Sequence, residues 1–247
     1  MGEGGSGLRH EGGLMTTTLD LLCAGAAQGL VTALAPVLLE RLRLCTAGRF
    51  GAVGAMKEAF DAGEPCDVLI SSEAMIGAMV GEGRLVAGSA APLGRVYTGI
   101  AVPEGRPAPA VDTPEALALA LSSAASIWVP DMVKSTAGQH FARVIRDLGL
   151  GDQLAPRIRM YPNGATAMRE MATSGDPDAL GCTQVTEILF TQGVTLTALL
   201  PPRFELATIY SAALSARARQ PVLARAFITM LVSPEQDALA RRCGFSR

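Results

Sequence analysis

Three times in the first 82 residues a short apolar run gives way, within a few residues, to a segment whose apolar side chains recur at helical spacing. Thr18–Cys23 leads to Leu30–Leu42, Arg43–Thr46 to Val53–Ala62, and Asp67–Ser71 to Glu73–Glu82. A short apolar run between turns fits a buried strand, and apolar residues three and four apart fit a helix with one buried face. Strands joined by helical crossovers lie parallel and have both faces covered. The pattern therefore predicts an α/β fold. It also predicts where a ligand would sit, because open sheets of this kind bind beyond the carboxyl ends of their strands. Here those ends carry Ala24-Gly25-Ala26-Ala27, Thr46 followed by Arg49, and Ser71-Ser72.

The middle of the chain repeats this logic. Val96–Val102 reads as a strand, Pro103–Ala110 as a Pro/Gly-rich boundary loop, and Thr113-Pro114 as the start of a helix, with Thr as cap and Pro at the first helical position. Ser126–Val129, Arg157–Tyr161 and Ala179–Thr183 are further strands. A helix spans Met168–Thr173, and Gln184–Glu187 follows the last strand at the same rim. Val194–Leu200 is a strand stopped by Pro201-Pro202, Leu206–Ala216 contains a strand leading back, and Pro221–Leu231 and Pro234–Cys243 are closing helices.

One stretch carries most of the functional interest. Val133-Lys134-Ser135-Thr136-Ala137-Gly138-Gln139-His140-Phe141 lies between an apolar strand and an amphipathic helix. Free backbone N–H groups, two hydroxyls and the positive end of a helix dipole meet there, which makes an anion seat. Ser135 or Thr136 acting only as a helix cap accounts for the same composition. His140, with a side chain that titrates near neutral pH, and Glu187, three residues after Gln184, are candidate catalytic bases. A packed imidazole and a surface ion pair are the plainer alternatives.

Composition narrows the partners. The chain has 247 residues, of which 49% are hydrophobic and 18% charged, so a sizeable core is available. A net charge of −2 and 4% aromatic residues give neither a basic field nor stacking platforms, which disfavours nucleic acid. No run of 18 apolar residues occurs, so membrane insertion is not expected. Five cysteines without a C-x-x-C pair fit free thiols, and two histidines offer no legible metal site. Residues 1–14, with six glycines and no apolar core, read as a disordered leader and not as a secretory signal. The expected location is cytoplasmic as the chain is written, or periplasmic if an upstream signal has been removed.

Several motifs together resemble a known family. They are Leu22-Cys23-Ala24-Gly25-Ala26, Ala62 to Ser71, Leu148-Gly149-Leu150, Gly181-Cys182-Thr183-Gln184-Val185-Thr186-Glu187-Ile188, Leu200-Pro201, Leu231-Val232-Ser233-Pro234 and Cys243-Gly244-Phe245. Their order and spacing are similar to the molybdate-binding-protein-like branch of the type 2 periplasmic solute-binding proteins of ABC transporters, from about Thr16 to the C-terminus. The resemblance implies two Rossmann-like α/β lobes with mixed sheets and a ligand cleft between them. Lobe one would be residues 15–97 with 208–247, and lobe two residues 98–207. Two crossing strands, about Tyr97–Val102 and Ala207–Ala213, would form a hinge that closes over an anion.

The resemblance also implies a ligand set, and this chain departs from it. Molybdate binders use a Ser in the first loop, a Ser in the second and a Tyr after the last strand of lobe two. The equivalent positions here are near Ala26, Val53 or Gly54, and Gln184. A carboxylate suits the replacements better. Arg49 would pair with it, Thr46, Ser71, Ser135, Thr136, Asn163 and Gln184 would donate to it, and the backbone at Ala26, Ala27, Ala137, Gly138 and Gly164 would approach it. The expected function is capture of a small organic carboxylate or oxyanion, with an ABC permease as partner only if the protein is exported. Relatives in the same branch resemble aconitate isomerases. The alternative is therefore a cofactor-free isomerase, with His140 or Glu187 as base.

Overall fold

The computed structural model describes residues 16–247, so the expected leader at 1–14 lies outside the described residues. The chain begins β1 (Thr17–Ala24), α1 (Gln28–Leu42), β2 (Leu44–Gly51), α2 (Val53–Asp61), β3 (Val68–Ser72), α3 (Glu73–Gly81) and a 13-residue strand β4 (Ala91–Pro103). It continues with α4 (Pro114–Ser123), β5 (Ser126–Pro130), α5 (Thr136–Asp147), α6 (Gly151–Leu154), β6 (Ile158–Tyr161), α7 (Gly164–Thr173), β7 (Ala179–Gln184), α8 (Val185–Phe190) and β8 (Val194–Leu199). The return strand β9 (Ala207–Leu214) precedes α9 (Pro221–Leu231) and α10 (Asp237–Arg242).

The strands lie in the order β2-β1-β3-β9-β4-β7-β5-β6, with β8 on β4. Both halves contain parallel pairs, β1 with β2 and β3, and β5 with β6 and β7, as the crossover helices require. β4 is shared between them. Its first part, through Tyr97, pairs antiparallel with β9, and from Thr98 on it pairs antiparallel with β7 and β8. Each half has its own apolar packing on both sheet faces. Leu19, Leu21, Leu30 and Phe227 fill one side of the first half, and Leu22, Met56, Phe60 and Leu69 the other. Phe141, Val144, Ile100 and Leu117 fill one side of the second half, with Trp128, Met168 and Met171 opposite. The result is the two-lobed mixed α/β architecture expected.

One strand differs from expectation in a way that matters for the site. β2 runs to Gly51, five residues beyond Thr46, because Thr17–Ala24 pair residue by residue with Leu44–Gly51. That pairing with β1 outweighs the poor strand propensity of the segment's two glycines. At about 3.3 Å per residue, Thr46 is left well below the carboxyl rim. The helix expected at Met168–Thr173 also starts earlier, at Gly164, where Asn163 Oδ1 accepts the Thr166 N–H at 2.8 Å.

Candidate functional site

The turn after β1 meets the starts of α7 and α8 in the second half, and the start of α2 after β2 meets the loop after β5, so the seam is lined by helix starts. The halves touch directly. The Gly54 N–H, in the first turn of α2, donates to the Lys134 carbonyl at 3.0 Å, and Lys134 Nζ lies 2.7 Å from Glu58 Oε2.

A buried polar cluster occupies the seam beside the start of α5. Tyr210, on β9, is 2% exposed, and Gln184 Nε2 donates to its phenol oxygen at 3.3 Å. The Thr136 side chain faces the same phenol. Burial pushes the Tyr210 pKa up, and the nearby Glu187 charge adds to this, so the phenol stays protonated. Thr98 stands directly opposite Gln184 in the β4–β7 pairing, which sends both side chains to one face. Both are buried, and Thr98 Oγ1 and Gln184 Oε1 have no hydrogen-bond partner among the described residues. The first-turn amides of Thr136 and Ala137 add donors that no helical carbonyl satisfies. Such a cluster can hold an anion through N–H and O–H donors and orient it through the Gln184 amide.

Glu187 sits a short way off as a built-in carboxylate. Thr183 Oγ1 donates to its Oε2 at 2.6 Å, and the N–H groups of Ala165, Gly164 and Gln184 bond it as well. Burial pushes its pKa up from the ordinary 4.5, and these hydrogen bonds oppose the rise. The space around it admits no side chain. A Cβ on Gly25 would lie 2.5 Å from Glu187 Oε1, and one on Gly164 would collide with Oε2 and with the Thr183 hydroxyl. Glu187 thus fills the contact between the turn after β1 and the start of α7.

A two-lobed α/β body, joined through β4 and β9 and lined with helix starts at the seam, is matched by a family model. That of the bacterial extracellular solute-binding proteins covers residues 19–246. The chain belongs to this family. This solute-binding protein is 25% identical over 225 residues to an aconitate isomerase from Pseudomonas sp., covering 89% of this chain and 84% of the relative. Among solved structures it is similar to the periplasmic molybdate-binding protein of Azotobacter vinelandii, with a TM-score of 0.76 at 18% identity, covering 93% and 99% of the two chains. It is also similar to the sulfate-binding protein SubI of Mycobacterium tuberculosis H37Rv, with a TM-score of 0.71 at 17% identity, covering 93% and 86%. These structural likenesses establish the fold.

Some residues singled out in the sequence of this solute-binding protein come together at the seam. Gln184 and Thr136 belong to the Tyr210 cluster. Ala26 and Ala27 form the buried turn after β1, Ala137 is fully buried in α5, and Ser71 is buried near the end of β3 with its Oγ unpartnered among the described residues. Others are placed elsewhere. Thr46 is stranded in the middle of β2. Arg49 pairs with Glu64, which follows α2, its side chain 54% exposed, and is not part of the Tyr210 cluster.

Ser135 Oγ accepts from the Gly138 N–H at 3.4 Å, and Asn163 caps α7, so both serve their own helices. Gly138 is required by packing, since a Cβ there would run into the carbonyls of Asp131 and Pro130. The Gly164 amide is committed to Glu187. His140 Nε2 lies 2.7 Å from the Phe204 carbonyl, to which it donates. The buried thiols of Cys23 and Cys182 are pushed up by desolvation and remain un-ionised core residues. Sequence reading missed Tyr210 and Thr98. The available signal was a lone tyrosine in the otherwise small and apolar strand of residues 207–214.

Proposed function

We propose that this protein captures a small anion, an organic carboxylate or an oxyanion, in the seam between its lobes, with β4 and β9 as the hinge. The observation that carries the reading is the gathering of donors beside the start of α5, the unpartnered buried Thr98 hydroxyl and the first-turn amides of Thr136 and Ala137. Leaving a buried donor unsatisfied costs about 1–3 kcal/mol, so the fold gains from an anion that accepts from these groups, and Gln184 Oε1 would accept from a hydroxyl of the ligand. A carboxylate is favoured over molybdate because the family resemblance matches Ala26, and Val53 or Gly54, to the positions where a molybdate cage has hydroxyls. The Gly54 amide is moreover already bonded to Lys134. If the protein is exported, an ABC permease is its partner.

The test is a thermal-shift and calorimetric screen of molybdate, tungstate, sulfate, succinate and citrate. A saturable response that disappears in Gln184→Leu and Thr136→Val is expected. Binding that survives both substitutions overturns the site, and stabilisation by molybdate alone overturns the carboxylate preference.

The aconitate isomerase relative supports a second reading, in which a bound carboxylate loses a proton and regains it at another carbon. Glu187 would be the base, since burial holds its proton affinity above that of an ordinary carboxylate. Solvent deuterium should then enter the bound acid, followed by proton NMR, and Glu187→Gln should stop it. Binding without exchange sinks this reading and leaves the first intact.

A further inference from the structure

At the far end of the second half, a pocket of 270 Å³ opens between the loop after β4, the end of α4 and the start of β7. Its volume is close to the lower end of the range for small-molecule sites, about 300–1,000 Å³. Every residue that lines it lies between Val102 and Leu180, so the first half supplies no wall. Ala179, in its wall, opens the strand that Gln184 ends, which places the pocket about 16 Å along β7 from the seam cluster. The two sites are therefore at opposite ends of one sheet.

The walls and the mouth of the pocket differ in kind. Val102, Ala124 and Leu180 are buried and, with Ala120, make the walls apolar. Arg106 and Asp178 bring opposite charges to the same opening, their side chains 43% and 68% exposed. Arg106 Nε donates to the Pro177 carbonyl at 3.0 Å, which holds the guanidinium beside the start of β7. Its Nη2 only reaches to 3.5 Å from Asp178 Oδ1, whereas a good charge-assisted bond is about 2.7–2.9 Å. Among the described residues neither charge has another ion-pair partner.

A pair this loose and this exposed contributes little, so a ligand can come between its members at small cost. A lone anion on Arg106 would be repelled by Asp178, and a lone cation on Asp178 by Arg106. A molecule carrying both charges replaces one long contact with two short ones. Its remaining part must then be apolar to cover the walls.

We propose that this pocket is a ligand site for a small aliphatic α-amino acid. The α-carboxylate meets Arg106, the ammonium meets Asp178, and the side chain fills the space between Val102, Ala120 and Leu180. Because one half alone forms the site, its occupancy leaves the lobes free to open and close. The site does not rest on the seam being a ligand site.

Leucine is the probe, titrated into the full chain by calorimetry. Isocaproate lacks its ammonium, isoamylamine its carboxylate and glycine its side chain, and each should bind about tenfold or more weakly than leucine. Asp178→Asn, which keeps the shape of an exposed side chain, should lower leucine affinity about tenfold to a hundredfold, and so should Arg106→Ala. Gln184→Leu should leave it unchanged. No leucine binding by the unaltered protein, isocaproate bound as tightly as leucine, or full leucine affinity in the Asp178→Asn protein each overturns the proposal. Leucine binding lost in Gln184→Leu also overturns it, because the amino acid would then occupy the seam.

Discussion

Replacing Glu187 by glutamine tests how the contact between the lobes is held. The carboxylate accepts from the Thr183 hydroxyl and from three backbone amides, in a buried place. Desolvation is the larger influence on its pKa, so the folded protein holds the proton more tightly than the unfolded chain does, where the ordinary value is 4.5. The stability this group contributes is complete below that value and is lost as the pH rises through the raised folded pKa. Each tenfold gain in proton affinity is worth about 1.4 kcal/mol.

Glutamine is neutral at every pH and keeps one carbonyl oxygen for the amides of α7. Its stability relative to the unaltered protein should therefore improve as the pH is raised from about 4 to 7. Leucine keeps no acceptor and leaves the hydroxyl and the amides buried without partners, so Glu187→Leu should be less stable than Glu187→Gln by a margin that does not change with pH, about 1–3 kcal/mol for each donor left unsatisfied. Urea unfolding of the three proteins across that pH range gives the comparison. The reasoning fails if the unaltered protein gains on the glutamine variant as the pH rises, because the hydrogen bonds would then outweigh desolvation.

Gly25→Ala should place a methyl group against Glu187 Oε1 and hold the lobes apart, raising the radius of gyration in solution scattering and lowering the melting temperature. An unchanged radius would mean that the turn after β1 yields instead. Arg49→Ala should leave ligand affinity unaltered and stability within about 1 kcal/mol, as expected for a half-exposed pair with Glu64; a large loss of affinity would return Arg49 to the site. Under native conditions a thiol reagent should modify exposed Cys45 first and leave Cys23, Cys66 and Cys182 untouched until the chain unfolds. Burial pushes the Cys66 thiol up to about 12.

What could be read from the sequence followed the strength of local pattern. The runs at Asp67–Ser71, Ser126–Val129 and Ala179–Thr183 announce buried strands because both of their faces are covered, and the start of α5 announces itself through Ser135 and Thr136. β2 was cut short at Thr46 because Gly48 and Gly51 carry no strand signal of their own, and only alignment against β1 extends the strand past Arg49. The role of Gly138 was hidden for a similar reason. The sequence marks a close approach without saying to what, and the neighbour is the Asp131 carbonyl. Tyr210 escaped notice because its partners, Gln184 and Thr136, lie 26 and 74 residues away along the chain. No local pattern records such a meeting.

The division of β4 has a topological consequence. Tyr97, the last residue of β4 paired to β9, stands opposite Ala207, the first residue of β9. The chain therefore leaves the first half and re-enters it on neighbouring strands about 4.8 Å apart. Everything from Thr98 to Leu206 is an insertion whose two ends meet, and a short turn joining Tyr97 to Ala207 would close β4 and β9 into a hairpin. The excised protein would keep the β2-β1-β3-β9-β4 sheet with the apolar residues on both of its faces.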